Sequence, residues 1–378
     1  MTEEYSGAIN KGLEGVVACT TKISSIIDAT LCYRGYTIED LAEHATFEEV
    51  SYLLWNGQLP NKAQLENLKK EFDKEATLNS DFLNLVKDSV KGLPKGAAPM
   101  DYMRTAVSLL SFYDPDVNDG HPDAVKRKAL RLTAKIGALI GLFEQVRNGR
   151  EPLSPISGKG LGWNLLYLIT GKEPSKEWAR IMDVALILHA DHELNCSTFT
   201  TRVICSSLSD LHSAVVGAIG ALKGPLHGGA HTAVMEMLEE IATLENADKF
   251  VEEAIADKKK VMGIGHRVYK NGDPRAKILQ RYSKQLTQET GKKQFYDISV
   301  HIDNMMNEKK GLMPNVDFYS ATVYSSMGIP GDLFTPVFVA SRMVGWCAHA
   351  MEQWENNRIY RPRGKYEGPI GLKYSQPK

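Results

Sequence analysis

Residues 211–230 read LHSAVVGAIGALKGPLHGGA, and the two halves of this stretch together indicate the architecture. The first half, Leu211 to Leu222, is apolar on nearly every side, the pattern of a helix buried among other helices or at a subunit interface. The segment from Trp178 to Ala190 has the same character. Gly217 and Gly220 carry no side chain to hold a neighbour off, so the expectation is two tightly packed central helices. Gly224-Pro225 then interrupts the run, and a new helical face passes through Val234, Leu238 and Ile241, which puts His227 at a helix start.

Helical periodicity continues on either side. Leu65, Leu68 and Phe72 share a face after the start signal Pro60-Asn61, and Met103, Val107 and Leu110 share another. A further helix is read across Leu132 to Val146, closed by Gly149. Alternating strand patterns are few and are expected near Val16 and Ile23, so the fold class is mainly α. Glycine and proline punctuate residues 224–225, 263–265, 272–274, 313–314 and 329–331, and basic residues are dense from Lys258 to Lys310. A separate subdomain over residues 224–320 is expected, with no internal repeat.

Composition excludes several function classes. The 378 residues suffice for one elaborated domain or two, and 43% apolar with 24% charged residues is the balance of a globular chain. With 45 basic and 46 acidic residues the formal charge is -1, so no whole-molecule field recruits nucleic acid or an anionic membrane. Five cysteines, widely spaced, match neither a zinc site nor a disulfide scaffold and fit a reducing cytosol. The opening MTEEYSGAIN lacks the basic and apolar regions of a secretory signal. The most apolar run, Ala214 to Leu222, falls far short of the roughly 20 residues that span a bilayer. A soluble, cytoplasmic protein is expected.

Common catalytic motifs fail. Gly263-Ile264-Gly265 continues into His266-Arg267-Val268 and lacks the third glycine of a dinucleotide fingerprint, and neither a phosphate-binding GxxxxGK[ST] nor a GxSxG elbow occurs. Five of the ten histidines lie between His189 and His231, but His192-Glu193 misses HExxH, and His227 and His231 lack an obvious third ligand. No metal is expected.

Three motifs carry chemistry instead. In Lys223-Gly224-Pro225-Leu226-His227-Gly228-Gly229-Ala230 the helix start favours a neutral imidazole that can donate to a developing oxyanion, while the glycines admit a ligand to the backbone. The stretch Val261-Met262-Gly263-Ile264-Gly265-His266-Arg267-Val268-Tyr269-Lys270-Asn271-Gly272-Asp273-Pro274-Arg275 sets a histidine and several cations beside flexible backbone, a match for carboxylates and phosphates. In Met313-Pro314-Asn315-Val316-Asp317-Phe318-Tyr319-Ser320, Asn315 can cap a helix whose first turn holds Asp317, either a dipole partner or a general base.

Together these motifs resemble those of citrate synthases, and the resemblance covers nearly the whole chain. Arg34-Gly35-Tyr36, Met103-Arg104-Thr105, His189-Ala190-Asp191-His192-Glu193, Leu333-Phe334-Thr335-Pro336 and Arg361-Pro362-Arg363 all look like family sequence, nearest to the shorter bacterial enzymes. Ile264 departs from the family, which usually has an aromatic or smaller residue there.

The resemblance implies an almost wholly helical fold: a large domain from residues 1–223 and 321–378, and an inserted small domain, 224–320, that closes over oxaloacetate. It implies condensation of acetyl-CoA with oxaloacetate and water to citrate and CoA, the entry step of the tricarboxylic acid cycle. Asp317 would be the base, His227 the donor to the thioester oxygen, and His266 the group that polarises and protonates the oxaloacetate carbonyl. Arg275, Arg342 and, from the neighbouring subunit of a homodimer, Arg361 would grip the carboxylates, with His192 alongside. CoA would lie along Lys260, Val261, Met262, Gly263 and Ile264, with Lys270 for a phosphate. Acetyl-CoA is then a co-substrate, and no tightly bound cofactor is implied. The nearest alternative is a 2-methylcitrate synthase using propionyl-CoA, since one methylene is worth only about 1–3 kcal/mol in an apolar pocket. A noncatalytic sensor of CoA metabolites is disfavoured because His227, His266 and Asp317 are all present.

Overall fold

A computed structural model describes residues 9–270 and 272–374. Within them sixteen α-helices follow in order: α1 (Ile38–His44), α2 (Phe47–Asn56), α3 (Lys62–Glu75), α4 (Ser80–Lys91), α5 (Pro99–Leu110), α6 (Pro122–Arg147), α7 (Leu161–Thr170), α8 (Lys176–His189), α9 (Cys196–Ser206), α10 (Leu211–Leu222), α11 (Ala230–Ile241), α12 (Leu244–Ala256), α13 (Pro274–Glu289), α14 (Lys293–Lys310), α15 (Val316–Ser326) and α16 (Phe334–Glu355). The fold is mainly α. A three-stranded antiparallel sheet, β1 (Ser24–Ile27), β2 (Thr30–Tyr33) and β3 (Tyr36–Thr37), precedes them. It begins just after Ile23, whereas Val16 lies outside it in exposed chain, so the expected strand signal was placed too early.

Local chemistry accounts for the helix starts. Asn61 and Gln64 form a reciprocal capping box on α3, as Thr46 and Glu49 do on α2. Pro122 opens α6 ten residues before its expected apolar face, because proline suits the first helical position and the added turns are more polar. Asn315 caps α15, whose first turn holds Asp317.

The two apolar helices are both largely buried, each against different neighbours. α10 packs against α9, α5 and α16, while α8 packs against α7, α16 and α1, so α16 receives both. Apolar periodicity shows that a face is covered but not by which neighbour. The glycines differ as well: a Cβ at Gly217 would run into Ile204 of α9, whereas Gly220 is exposed and faces open space. α16 is the axis of the molecule, nearly all of it buried, and it also packs on α2, α6 and α9. α11 to α15 pack chiefly on one another, with α13 on α15, α12 on α14 and α11 on α15. They reach the rest through α11 on α16 and α13 on α1 and α8, and α15 runs on past Ser320. Among the described residues no helix is long and apolar enough to cross a membrane.

Candidate active site

Helix ends and tight loops deliver the candidate side chains. His192 follows the end of α8, His227 sits in the turn before α11, Arg275 and Asp317 lie in the first turns of α13 and α15, and Arg342 comes from the middle of α16. Two of the sequence motifs are laced together. Gly265 N donates to Met313 O at 2.7 Å, Asn315 N to Gly263 O at 2.9 Å, and Asn315 Nδ2 to Gly265 O at 3.0 Å. This sets His266 in fixed relation to Asp317. Gly263 has φ +74°, and a Cβ there would lie 2.8 Å from both Phe318 Cδ2 and Val234 Cγ2, so this position requires glycine.

The hydrogen-bond donors around two histidines select opposite tautomers. At His227, Nε2 lies 3.3 Å from the Ser197 amide nitrogen and 2.9 Å from Ser197 Oγ. The Ser197 hydroxyl has another acceptor, Asn195 Oδ1 at 2.9 Å, so the amide, which can only donate, decides the matter. His227 Nε2 is the acceptor and Nδ1 carries the hydrogen. At His266 the reverse holds: Nδ1 accepts from the amides of Val268 at 3.0 Å and Tyr269 at 3.2 Å, leaving Nε2–H as donor. Burial, then the Arg342 charge and His231, pulls His227 down to about 4. Burial likewise lowers His189, His192, His231 and His266, so the cluster is neutral at pH 7.

The arginines differ in commitment. Arg275 is buried and its fork is engaged by Asp273, Nε to Oδ1 at 3.0 Å and Nη2 to Oδ2 at 2.8 Å. Arg342 is 1% exposed, donates through Nε to His189 O at 2.7 Å, and stacks its guanidinium 4.8 Å from the Phe338 ring centroid. The ion pairs of the described residues include none to Arg342. Burial draws its pKa down to about 10, so it stays charged. Arg361 lies exposed in the chain after α16, beside Arg358 and Tyr360, and is not brought to this cluster by its own chain. Of the segment expected to meet CoA, Lys260 and Lys270 are exposed, Met262 and Ile264 half-buried, and Val261 and Gly263 buried, so at the last two only backbone is offered.

Several residues reached the site without a role read from sequence. Ser197 orients His227, and its Oγ also accepts from Trp346 Nε1 at 3.1 Å. Tyr269 Oη lies 3.2 Å from His192 Nε2. Asp273, besides holding Arg275, accepts from Val316 N at 3.1 Å and so ties α13 to α15. Asp191, hydrogen-bonded to Ser24 and His349, anchors the His192 loop, where Glu193, at φ +50°, donates its backbone N–H to Ser24 Oγ at 2.9 Å. His231 Nε2 stands 3.0 Å from Asp317 Oδ1 and 3.2 Å from His189 Nε2. These three groups offer ligand atoms within 4.8 Å of one another; the two imidazoles are joined directly by a hydrogen bond, and Asp317 stands beside His231 at ion-pair distance. An HxxxH spacing, His227 to His231, was visible; its partners on α8 and α15 were not.

A buried guanidinium, that of Arg342, flanked by neutral histidines and a carboxylate suits proton abstraction beside a carbonyl. The sequence profile of the family described as "Citrate synthase, C-terminal domain" matches residues 12–363. The chain is 50% identical over 364 residues to "Citrate synthase 2" of Bacillus subtilis (strain 168), covering 96% of this chain and 97% of that one. It is 39% identical over 361 residues to "Citrate/2-methylcitrate synthase" of the same strain, covering 95% and 96%. The ternary complex of carboxymethyl coenzyme A and oxaloacetate with citrate synthase from the thermophilic archaeon Thermoplasma acidophilum matches with a TM-score of 0.91 and 32% identity, with 98% of each chain covered.

Proposed function

We infer the roles of these groups from one premise: the chain belongs to the citrate synthase family. It is an acyltransferase that condenses acetyl-CoA with oxaloacetate and water to give citrate and CoA. The observation that carries the reading is Arg342, a buried guanidinium with no ion-pair partner among the described residues, beside neutral imidazoles and Asp317. An unpaired buried charge is costly, so the site favours an anion of matching geometry, and a carboxylate of oxaloacetate supplies it. Arg275 faces the same cluster.

Asp317 removes a proton from the thioester methyl group while His227 Nδ1–H donates to the thioester oxygen. The donor strengthens its bond as charge develops there, which lowers the barrier rather than merely binding the substrate. The enol carbon attacks the oxaloacetate carbonyl, whose oxygen takes the proton of His266 Nε2. Water then cleaves the citryl thioester, releasing citrate and CoA. The sequence is redox-neutral, so acetyl-CoA serves as a co-substrate and no electron carrier is required.

Residues 224–320 act in this reading as a small domain closing over oxaloacetate, supported by the mutual packing of α11 to α15. CoA runs along the backbone of residues 260–264, with Lys270 near a phosphate. The active unit is a homodimer in a cytoplasmic setting: Arg361, stranded in exposed chain after α16, is suited to completing the partner's site. A second reading, propionyl-CoA as acyl donor, is favoured by relatives whose names carry 2-methylcitrate synthase. Thiol release with oxaloacetate plus acetyl-CoA, then propionyl-CoA, tests both: no release with either refutes the function, and a higher kcat/KM for propionyl-CoA makes the second reading the primary one.

A further inference from the structure

The three-stranded sheet has no part in the reaction sequence above, yet two of its side chains grip the loop that carries His192. Ser24 of β1 and Tyr33 of β2 are direct cross-strand partners, so both side chains leave the same face of the hairpin, and both are buried. Ser24 Oγ accepts from the Glu193 amide at 2.9 Å, and its own hydrogen goes to its other partner, Asp191 Oδ2. Tyr33 Oη accepts from the Asp191 amide at 3.1 Å and donates to the carbonyl oxygens of Asp191 and Ile187, at 2.8 and 3.1 Å. Residues 191 and 193 are thus both held by hydroxyls of one hairpin. His192 is the residue between them.

The carboxylate at the centre of this grip is itself held from α16. Arg202 Nε, which can only donate, lies 2.9 Å from His349 Nδ1, so the hydrogen of that ring is on Nε2, 3.3 Å from Asp191 Oδ2. Burial opposes ionisation of Asp191, but His349, Arg342 and Ser24 outweigh it and keep its pKa below the ordinary value, so Ser24 bonds to a charged acceptor. Glu193 sits at φ +50°, a conformation that a residue with a side chain keeps only where its surroundings impose it. We propose that Ser24 and Tyr33 are positioning residues for oxaloacetate: their hydroxyls fix the backbone on either side of His192 and so set where its imidazole meets the substrate. The proposal rests on the reading of His192 as an oxaloacetate ligand. That imidazole stands 3.2 Å from Tyr269 Oη through Nε2, with its ring centroid 5.3 Å from that of His266, so a shift of its backbone displaces it from the groups around the substrate.

Ser24→Ala should raise KM for oxaloacetate about tenfold with kcat within about threefold, because a displaced ligand weakens a contact made in the ground state and the transition state alike. Tyr33→Phe keeps the ring, removes only the hydroxyl and should raise the same KM severalfold, which keeps the proposal testable if the Ser24 variant does not fold. KM for acetyl-CoA at saturating oxaloacetate should stay within about twofold in both. A double-mutant cycle separates positioning from general support: in His192→Ala protein, adding Ser24→Ala or Tyr33→Phe should move KM for oxaloacetate by less than about twofold, since the side chain through which they act is gone. Unchanged KM for oxaloacetate in Ser24→Ala or in Tyr33→Phe overturns the proposal. So does an effect that persists undiminished in the His192→Ala background, which would make both hydroxyls merely structural. The underlying reading fails separately, by a His192→Ala enzyme whose KM for oxaloacetate is that of the wild type.

Discussion

Ser197 faces His227 twice, through its hydroxyl at 2.9 Å and its amide at 3.3 Å, both on Nε2. The pair sits at the start of α9, so a helix N-terminus, with its outward amides, sets the tautomer of a histidine 30 residues away. Ser197→Ala keeps the amide and removes the hydroxyl that Trp346 Nε1 also uses. Turnover should fall roughly tenfold by loosening His227. Chemical denaturation should show a loss of about 1–3 kcal/mol, the cost of an unpartnered indole N–H. Unchanged turnover would mean the amide alone suffices.

Asp317→Asn should lower condensation at least about a hundredfold while oxaloacetate still binds, since the arginines and not the carboxylate hold it. The same inactive protein permits calorimetry with both substrates. Arg275 lies on α13 and Arg342 on α16, so oxaloacetate bridging them should draw the cleft shut and tighten acetyl-CoA binding, with reciprocal tightening of oxaloacetate. Equal acetyl-CoA affinity with and without oxaloacetate would exclude closure by this route.

Acid should destabilise the free enzyme through its neutral histidines. His227 is drawn from 6.5 to about 4. As pH falls through 6.5 the unfolded chain binds a proton that the folded site refuses, so stability is lost between 6.5 and 4, by roughly 3 kcal/mol from this residue. His189, His192, His231 and His266 shift in the same direction and add to the slope. Urea midpoints should drop between about pH 7.5 and about pH 5, and His227→Gln should flatten part of the decline. A midpoint that rises on acidification would contradict the neutral cluster.

Arg361→Ala should weaken oxaloacetate use without unfolding the chain, as befits an exposed residue. Mixed with His266→Ala protein under conditions of confirmed subunit exchange, it should regain activity, because one site of each heterodimer is then intact. No recovery would place Arg361 outside the partner's site.

The parts of the site that could be read from sequence are those whose neighbours are close in the chain. The capped first turn bearing Asp317, the turn before α11 and the glycine-flanked His266 are each set by residues within a few positions, and each is found where expected. What stayed hidden depends on elements meeting through space: Ser197 against His227, His189 against His231, Asp273 tying α13 to α15. The fold divides the same way. Apolar faces on α8 and α10 were evident, but that α16 lies between them depends on which apolar helix covers which, and many helices in this chain carry such a face.

The helix on which the others pack is the last of the sixteen to leave the ribosome. Contacts among α11 to α15 are complete once residue 326 has emerged, whereas α2, α6, α8, α9 and α10 wait for α16 to cover them. At about 5–20 residues per second of synthesis, those earlier helices hold apolar surface open to water while more than a hundred further residues are made. Helices α11 to α15 can therefore associate during translation before the body that surrounds Arg342, which closes only once α16 has followed. A nascent chain stalled before Phe334 would be a half-built particle prone to aggregation, and this makes the interval before α16 appears the one in which the protein depends most on chaperones.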